Sequence, residues 1–251
     1  MTTIAVLADP PRAGLVGTEL AATSPLTESE AAECYAAALR DVLVAVERSG
    51  GDLLVNYRSD DLLPDELVTE TESEAAVRAL AAAALEDVSD VRFEPQVGSS
   101  FDARAGNTVT HLLREEAVNS VAVVDGAAAF LTRPLIDNAA MKLRRSEVVL
   151  GPSTRGRTYY AGFTEPVDFA DAFQPPAMET LTARARDAGH DVDFIPIQPV
   201  IETGADLLDV LPLVNARVDA ERIVPTNTAA FLDEVGLRVD YGDDGAHLVR
   251  E

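Results

Sequence analysis

The chain has 251 residues, 43 of them acidic and 20 basic, giving a formal charge of −23. So acidic a chain excludes a nucleic-acid-binding surface or a polybasic membrane contact as the default, since both need a basic footprint. At 47% hydrophobic residues it is also too apolar to be disordered, and its length suits one large α/β domain or two small ones.

Residues 4–8 form a short apolar run that predicts a buried strand, followed by a Pro-Pro loop. Thr27-Glu-Ser-Glu30 has the spacing of a capping box, in which hydroxyl and carboxylate each satisfy a backbone N–H at a helix start. The helix it opens runs to about Arg48, with Tyr35, Leu39, Val42 and Val46 on one face, and Gly50-Gly51 ends it. Residues 53–57 predict the second strand. Thr71-Glu-Ser-Glu74 reads as another capping box, for a helix to about Glu86. Residues 91–94 predict a strand, 109–117 a helix, 120–124 a strand and 133–143 a helix. Two strands, 147–150 and 159–163, flank a loop; a helix over 177–188, a strand over 192–195 and a core helix beginning at 206–211 follow.

Apolar strands alternating with amphipathic helices predict an α/β fold, a mostly parallel sheet covered on both faces. The pattern changes near Pro225. A short helix over 228–235 precedes a strand, a turn at 242–245 and a second strand. This gives a domain over 1–215 and an extension over 216–251, packed on the domain, as an edge hairpin, or at a homodimer interface.

Only Lys142 among the 20 basic residues is a lysine, and tryptophan is absent. This composition resembles that of proteins from organisms that balance external brine with internal salt. At molar salt the Debye length falls to about 3 Å, so dense carboxylates repel one another little. The plainer alternative is an ordinary acidic cytosolic protein. The single cysteine, Cys34, excludes an intrachain disulfide and a cysteine-rich zinc site. The first residues lack a basic n-region and no window has the roughly 18 apolar residues of a membrane span, so the expected location is cytoplasmic.

Parallel α/β sheets place ligands at the carboxyl ends of their strands. The motifs found there occur in a recognisable order. They are Asp9-Pro-Pro-Arg-Ala-Gly-Leu-Val-Gly-Thr-Glu-Leu20; Val123-Val-Asp125-Gly-Ala with Leu131-Thr-Arg-Pro134; Glu147-Val-Val-Leu-Gly-Pro-Ser-Thr-Arg-Gly-Arg-Thr-Tyr-Tyr-Ala-Gly162; and Val200-Ile-Glu-Thr-Gly-Ala-Asp206-Leu. In this order the chain resembles the small GT-A-like transferases described as arsenosugar-biosynthesis glycosyltransferase-like, relatives of the molybdopterin and phospholactate guanylyltransferases. The resemblance spans about residues 4–211 and implies a GT-A-like, Rossmann-like sheet. It also implies a nucleotide or nucleotide sugar as substrate, an acceptor of unknown identity, and Mg²⁺ or Mn²⁺ held by Asp125 and Glu202. Taken alone, Asp125 also reads as an Asp-Gly turn residue, and Glu202 as a carboxylate at a helix N-terminus.

Several positions depart from the family's pattern. Its first loop is rich in bases, and here those positions are Asp9, Leu15, Gly17 and Glu19, leaving Arg12 alone. The acid of its Gly-Pro loop is Arg155, and the first acid of its last motif is Val200. Arg12, Arg104 and Arg155 are therefore the candidate phosphate contacts, a guanidinium fork being suited to phosphate oxygens. Arg157 reads as an exposed arginine paired with one of the many carboxylates. Tyr159 and Tyr160 read as sheet packing with at most one face toward a pocket, and His111, His190 and His247 as surface or helix-end residues. Two functions follow: a nucleotide- or nucleotide-sugar-dependent transferase with a degenerate phosphate loop, or a non-catalytic binding protein derived from this fold.

Overall fold

The computed structural model describes residues 1–243 and 245–250. Strand β1 (Thr3–Ala8) is buried along all six residues, as a strand covered on both faces must be. After helix α1 (Thr18–Thr23), helix α2 (Glu28–Glu47) starts at the expected capping box. The Glu30 N–H donates to Thr27 Oγ1 at 3.2 Å, and Thr27 N–H donates to Glu30 Oε2 at 2.8 Å. Strand β2 (Asp52–Tyr57), helix α3 (Ser73–Ala84), strand β3 (Arg92–Pro95), helix α4 (Phe101–Arg114) and strand β4 (Val121–Asp125) follow. Then come α5 (Arg133–Lys142), β5 (Val148–Pro152), β6 (Thr158–Phe163), α6 (Ala177–Asp187), β7 (Val192–Phe194) and α7 (Gly204–Asp219). The tail contributes α8 (Thr226–Glu234), β8 (Leu237–Gly242) and β9 (Gly245–Arg250).

Seven strands form one sheet in the order β3-β2-β1-β4-β6-β5-β7, with only β6 running antiparallel to its neighbours. The chain leaves β1 toward β2 and β3, then returns to β4 on the other side of β1. The crevice between the ends of β1 and β4 is thus the point where strand order reverses, the place where open α/β sheets take ligands. Successive side chains enter opposite layers. Ile4, Val6, Val55, Ala122 and Val124 join Leu39, Val42, Val77 and Ile136, whereas Ala5, Leu7, Leu54, Val121 and Val123 join Val109, Leu112 and Leu181. A third apolar cluster, with Phe130, Leu207, Leu211, Phe231 and Leu237, packs against the outer face of α2. That second burial explains the alanines of α2: Ala31, Ala37 and Ala38 are small enough for helices to approach closely on the side away from the sheet.

Four sequence expectations are revised. The box at 71–74 does not form. Asp60 caps α3 from a distant turn, accepting from Ser73 N–H at 2.8 Å and Ser73 Oγ at 2.7 Å, while Glu74 accepts from the Tyr57 hydroxyl instead. Helix α4 begins eight residues before the expected 109, with Ser100 Oγ accepting from Ala103 N–H at 3.1 Å. Part of the first loop is helix α1. The β8–β9 hairpin does not join the edge of the main sheet: it forms its own sheet, packs on α7, and is tied to α2 by Arg250–Glu30 at 2.6 Å. Of its expected turn at 242–245, Asp244 lies outside the described residues. Residue 215, the expected domain limit, lies within α7. Among the described residues no helix is long and apolar enough to cross a membrane.

Candidate functional site

The register of β1 against β4 places Leu7 opposite Asp125, so Asp9 and Asp125 stand on either side of the switch crevice. Tyr35, carried on α2, fills the space between: its buried hydroxyl oxygen accepts from the Asp9 N–H at 3.0 Å. Gly126 permits this approach, because a Cβ there would lie 2.6 Å from the Tyr35 hydroxyl oxygen.

Asp125 ends β4 and makes a turn of its own, with Ala127 N–H donating to Oδ1 at 2.7 Å. Glu202 immediately precedes Thr203, the N-cap of α7. It does not cap that helix, because Thr203 and Asp206 form the capping box themselves. The Glu202 side chain lines the same cleft as Asp125. Burial, and then the charge of Glu202, raise the Asp125 carboxyl from 3.8 to about 7. The two carboxylates border two cavities. One, of about 260 Å³, is bounded by Asp9, the first loop and Tyr35; the other, of about 220 Å³, by Phe101, Arg157, Tyr159 and Tyr160.

Arg157 is buried rather than exposed, and it organises the far wall. It donates to Glu202 Oε2 at 2.7 Å and to both oxygens of Asp206 at 3.1 and 2.5 Å. Asp206, whose side chain is only 1% exposed, also accepts from the backbone N–H groups of Glu202 and Thr203. Arg155, at a positive φ of 57°, pairs with Asp206 and with Thr203 Oγ1, and it borders neither cavity. Arg12 is likewise turned away, donating to Asp60 Oδ1 (3.0 Å), Leu67 O (2.8 Å) and Thr71 O (2.7 Å).

Asp9 faces two bases. Arg58, at the end of β2, lies 3.7 Å from Asp9 Oδ2, and buried Arg104 acts on Asp9 from α4. Burial pushes the Asp9 carboxyl up while the two arginines pull it down; burial also lowers Arg104, whose Nε is buried without a partner among the described residues. Sequence reasoning missed Arg58, although its place one residue beyond a strand's carboxyl end was the available signal. Both tyrosines of the Tyr-Tyr pair are buried in the sheet and also border the smaller cavity; Tyr159 donates to Pro196 O at 2.8 Å, and the Tyr160 hydroxyl has no partner among the described residues. His111 and His247 pair with Glu116 and Asp240 at the surface.

Over residues 54–180 the sequence matches the family described as "Uncharacterized protein conserved in bacteria (DUF2064)". The chain belongs to this family. The matched segment runs from β2 into α6 and holds Arg58, Arg104, Asp125, Arg155 and Arg157, while Asp9 and Glu202 lie outside it. No curated protein matches the sequence. Among solved structures, the family member is similar to a candidate nucleotide-diphospho-sugar transferase from Desulfovibrio desulfuricans G20, at TM-score 0.71 and 21% identity over 93% of this chain and 95% of that one. It is also similar to a cytidylyltransferase from Leptospira borgpetersenii serovar Hardjo-bovis, at 0.52 and 10% over 93% and 94%. A third likeness is to 4-diphosphocytidyl-2C-methyl-D-erythritol synthase from Anaerococcus prevotii, at 0.50 and 12% over 85% and 96%. These similarities establish the fold, a GT-A-like α/β sheet.

Proposed function

We propose that this family member is a nucleotide- or nucleotide-sugar-dependent transferase acting in the cleft at the ends of β1 and β4. The observation that supports it is the Asp125–Glu202 pair, two carboxylates facing one crevice at the point where strand order reverses. Paired acids of this kind suit a divalent cation, which would replace the proton that Asp125 otherwise keeps near neutral pH. The donor chemistry fits Mg²⁺ or Mn²⁺: both groups offer hard oxygens, and Asp125 Oδ2 has no hydrogen bond among the described residues. No three His, Cys, Asp or Glu side chains gather as a metal group among the described residues, so phosphate oxygens would complete the shell. When bound, the ion would supply charge stabilisation to a leaving diphosphate.

The protein's own residues divide the remaining work. Arg157 orients Glu202 through its 2.7 Å contact. Arg58 and Arg104 are the bases that face Asp9, and phosphates would compete with Asp9 for them.

The other reading, a non-catalytic ligand- or partner-binding protein, is favoured by one observation. Arg12 is committed to Asp60, Leu67 and Thr71, while Asp9 and Glu19 border the cavity where phosphate would sit. A thermal-shift screen of CDP, UDP and GDP, with and without Mn²⁺ in molar KCl, separates the two. The transferase reading expects stabilisation that needs both nucleotide and metal and is lost in Asp125→Asn and Glu202→Gln. Nucleotide stabilisation that ignores Mn²⁺ and both variants would favour the binding protein.

A further inference from the structure

Away from the cleft, a cavity of about 660 Å³ opens where the second half of α2, the turn after β4 and the α7–α8 linker meet. It exceeds the two cleft cavities combined and shares no lining residue with them. Val44, Ala45, Phe130 and Leu131 give it an apolar lining, and Ile223 borders it while remaining 84% exposed.

Its charge runs against that of the chain. Four of the 20 basic residues, Arg48, Arg133, Arg217 and Arg222, line it, with Asp41 and Glu221 the only acids among the described residues that do so. Asp41 is already consumed: its Oδ1 accepts from the backbone and side-chain amides of Asn227, and its Oδ2 from the backbone N–H and hydroxyl of Thr228. Arg133 is paired with Asp137 at 3.3 Å. Arg48, Arg217 and Arg222 have no carboxylate partner among the described residues, although the chain carries 43 acids. Arg217 is held over the Phe130 ring, 5.5 Å from its centroid, so one guanidinium is already placed beside the apolar lining.

We infer that this groove binds a small amphipathic organic anion, its apolar body against Phe130, Val44 and Ile223 and its acidic group met by Arg217, Arg222 and Arg48. The cavity is within the range of about 300–1,000 Å³ typical of small-ligand sites. A guanidinium with no internal partner gains most from an anion seated beside low-dielectric walls. The site is separate from the proposed transferase cleft and does not depend on it.

The test is fluorescence titration with 8-anilinonaphthalene-1-sulfonate, an aromatic anion, and with its neutral relative N-phenyl-1-naphthylamine, at one fixed KCl concentration. Saturable one-to-one binding of the sulfonate is expected, weakened at least tenfold in Arg217→Ala/Arg222→Ala with native circular dichroism. The neutral probe should change less than twofold in that variant, Ile223→Asp should weaken both probes, and Asp125→Asn neither. If the double variant does not fold, the wild-type protein decides: the sulfonate should bind at least tenfold tighter than the neutral probe, and equal affinities would overturn the inference. So would absence of saturable sulfonate binding, equal loss of both probes on removing the arginines, or a dimer by light scattering whose formation closes the groove to the probe.

Discussion

Arg157 reaches Glu202 across 2.7 Å, while Asp125, which borders the same two cavities as Glu202, has no basic partner in contact among the described residues. The two acids of the cleft are therefore unequal: one is paired with a guanidinium, and the other retains a proton to about pH 7.

Stability should register that inequality. Asp125 titrates near 3.8 unfolded and near 7 folded, so between these values the native state holds the extra proton. Its contribution is fully present below about pH 4 and is lost as pH rises through 7. At fixed KCl, the Tm of the protein should fall relative to that of Asp125→Asn between pH 5 and 8. The ceiling is about 1.4 kcal/mol per pH unit of the gap between the two titrations. Parallel melts at pH 5, 6, 7 and 8 check this; a constant difference between the two proteins would refute it.

Asp206 is predicted to matter far more to folding than Arg155, the more exposed of its two arginine partners. It caps α7, and removing it would leave Arg157 buried without its main partner. Asp206→Ala should cost about 3–5 kcal/mol, the range for breaking a buried pair. Arg155→Ala, at a side chain 48% exposed, should cost under about 1 kcal/mol. Urea denaturation of both variants decides, and equal losses would show that the pair is not buried in solution.

Restoring bases to the first loop should succeed at one position and fail at another. Gly17 is the N-cap of α1 at a φ of 64°, and a Cβ there would lie 2.8 Å from the Ala31 carbonyl oxygen. Gly17→Lys should therefore destabilise the fold, with about 1–2 kcal/mol from the left-handed backbone alone and more from the clash. Glu19→Arg, on an exposed residue at the start of α1, should leave Tm nearly unchanged and tighten nucleoside diphosphate binding. Isothermal titration at two KCl concentrations measures it; weaker binding by Glu19→Arg would mean that phosphates do not approach α1.

The charge of −23 predicts that the folded state needs salt. Tm should rise between 0.1 and 2 M KCl as screening shortens to about 3 Å. A melt that does not move across that range would remove the basis for reading the composition as an adaptation to salt.

What the sequence disclosed was mostly local. The Thr27–Glu30 box lies within four residues and formed as read, because the distant group that reaches Glu30, Arg250, takes its other carboxylate oxygen and leaves the cap in place. The second box, equally good on paper, lost to Asp60, which Arg12 holds at the start of α3. That competition is tertiary and leaves no mark at 71–74. The buried runs of β1 and β4 identified the central strands, but not the placement of antiparallel β6 between β4 and β5, which depends on pairings far apart in the chain. In the site, Asp125 and Glu202 were found by motif order and do border one cleft. Arg157 was read as exposed because in so acidic a chain any arginine has carboxylates available, and only the fold shows that its partner is the buried Asp206.

The four hydrogen bonds from Asn227 and Thr228 to Asp41 bind the two ends of the chain into one inheritance. Asp41 lies mid-helix at 8% exposure, where a carboxylate is acceptable only with its donors in place. A relative that stopped after α7 could not keep this aspartate unchanged; it would need an apolar residue there or another set of donors. The presence of an acid at this position should therefore track the presence of α8 from one relative to the next, so the tail can be recognised from a residue nearly two hundred positions before it.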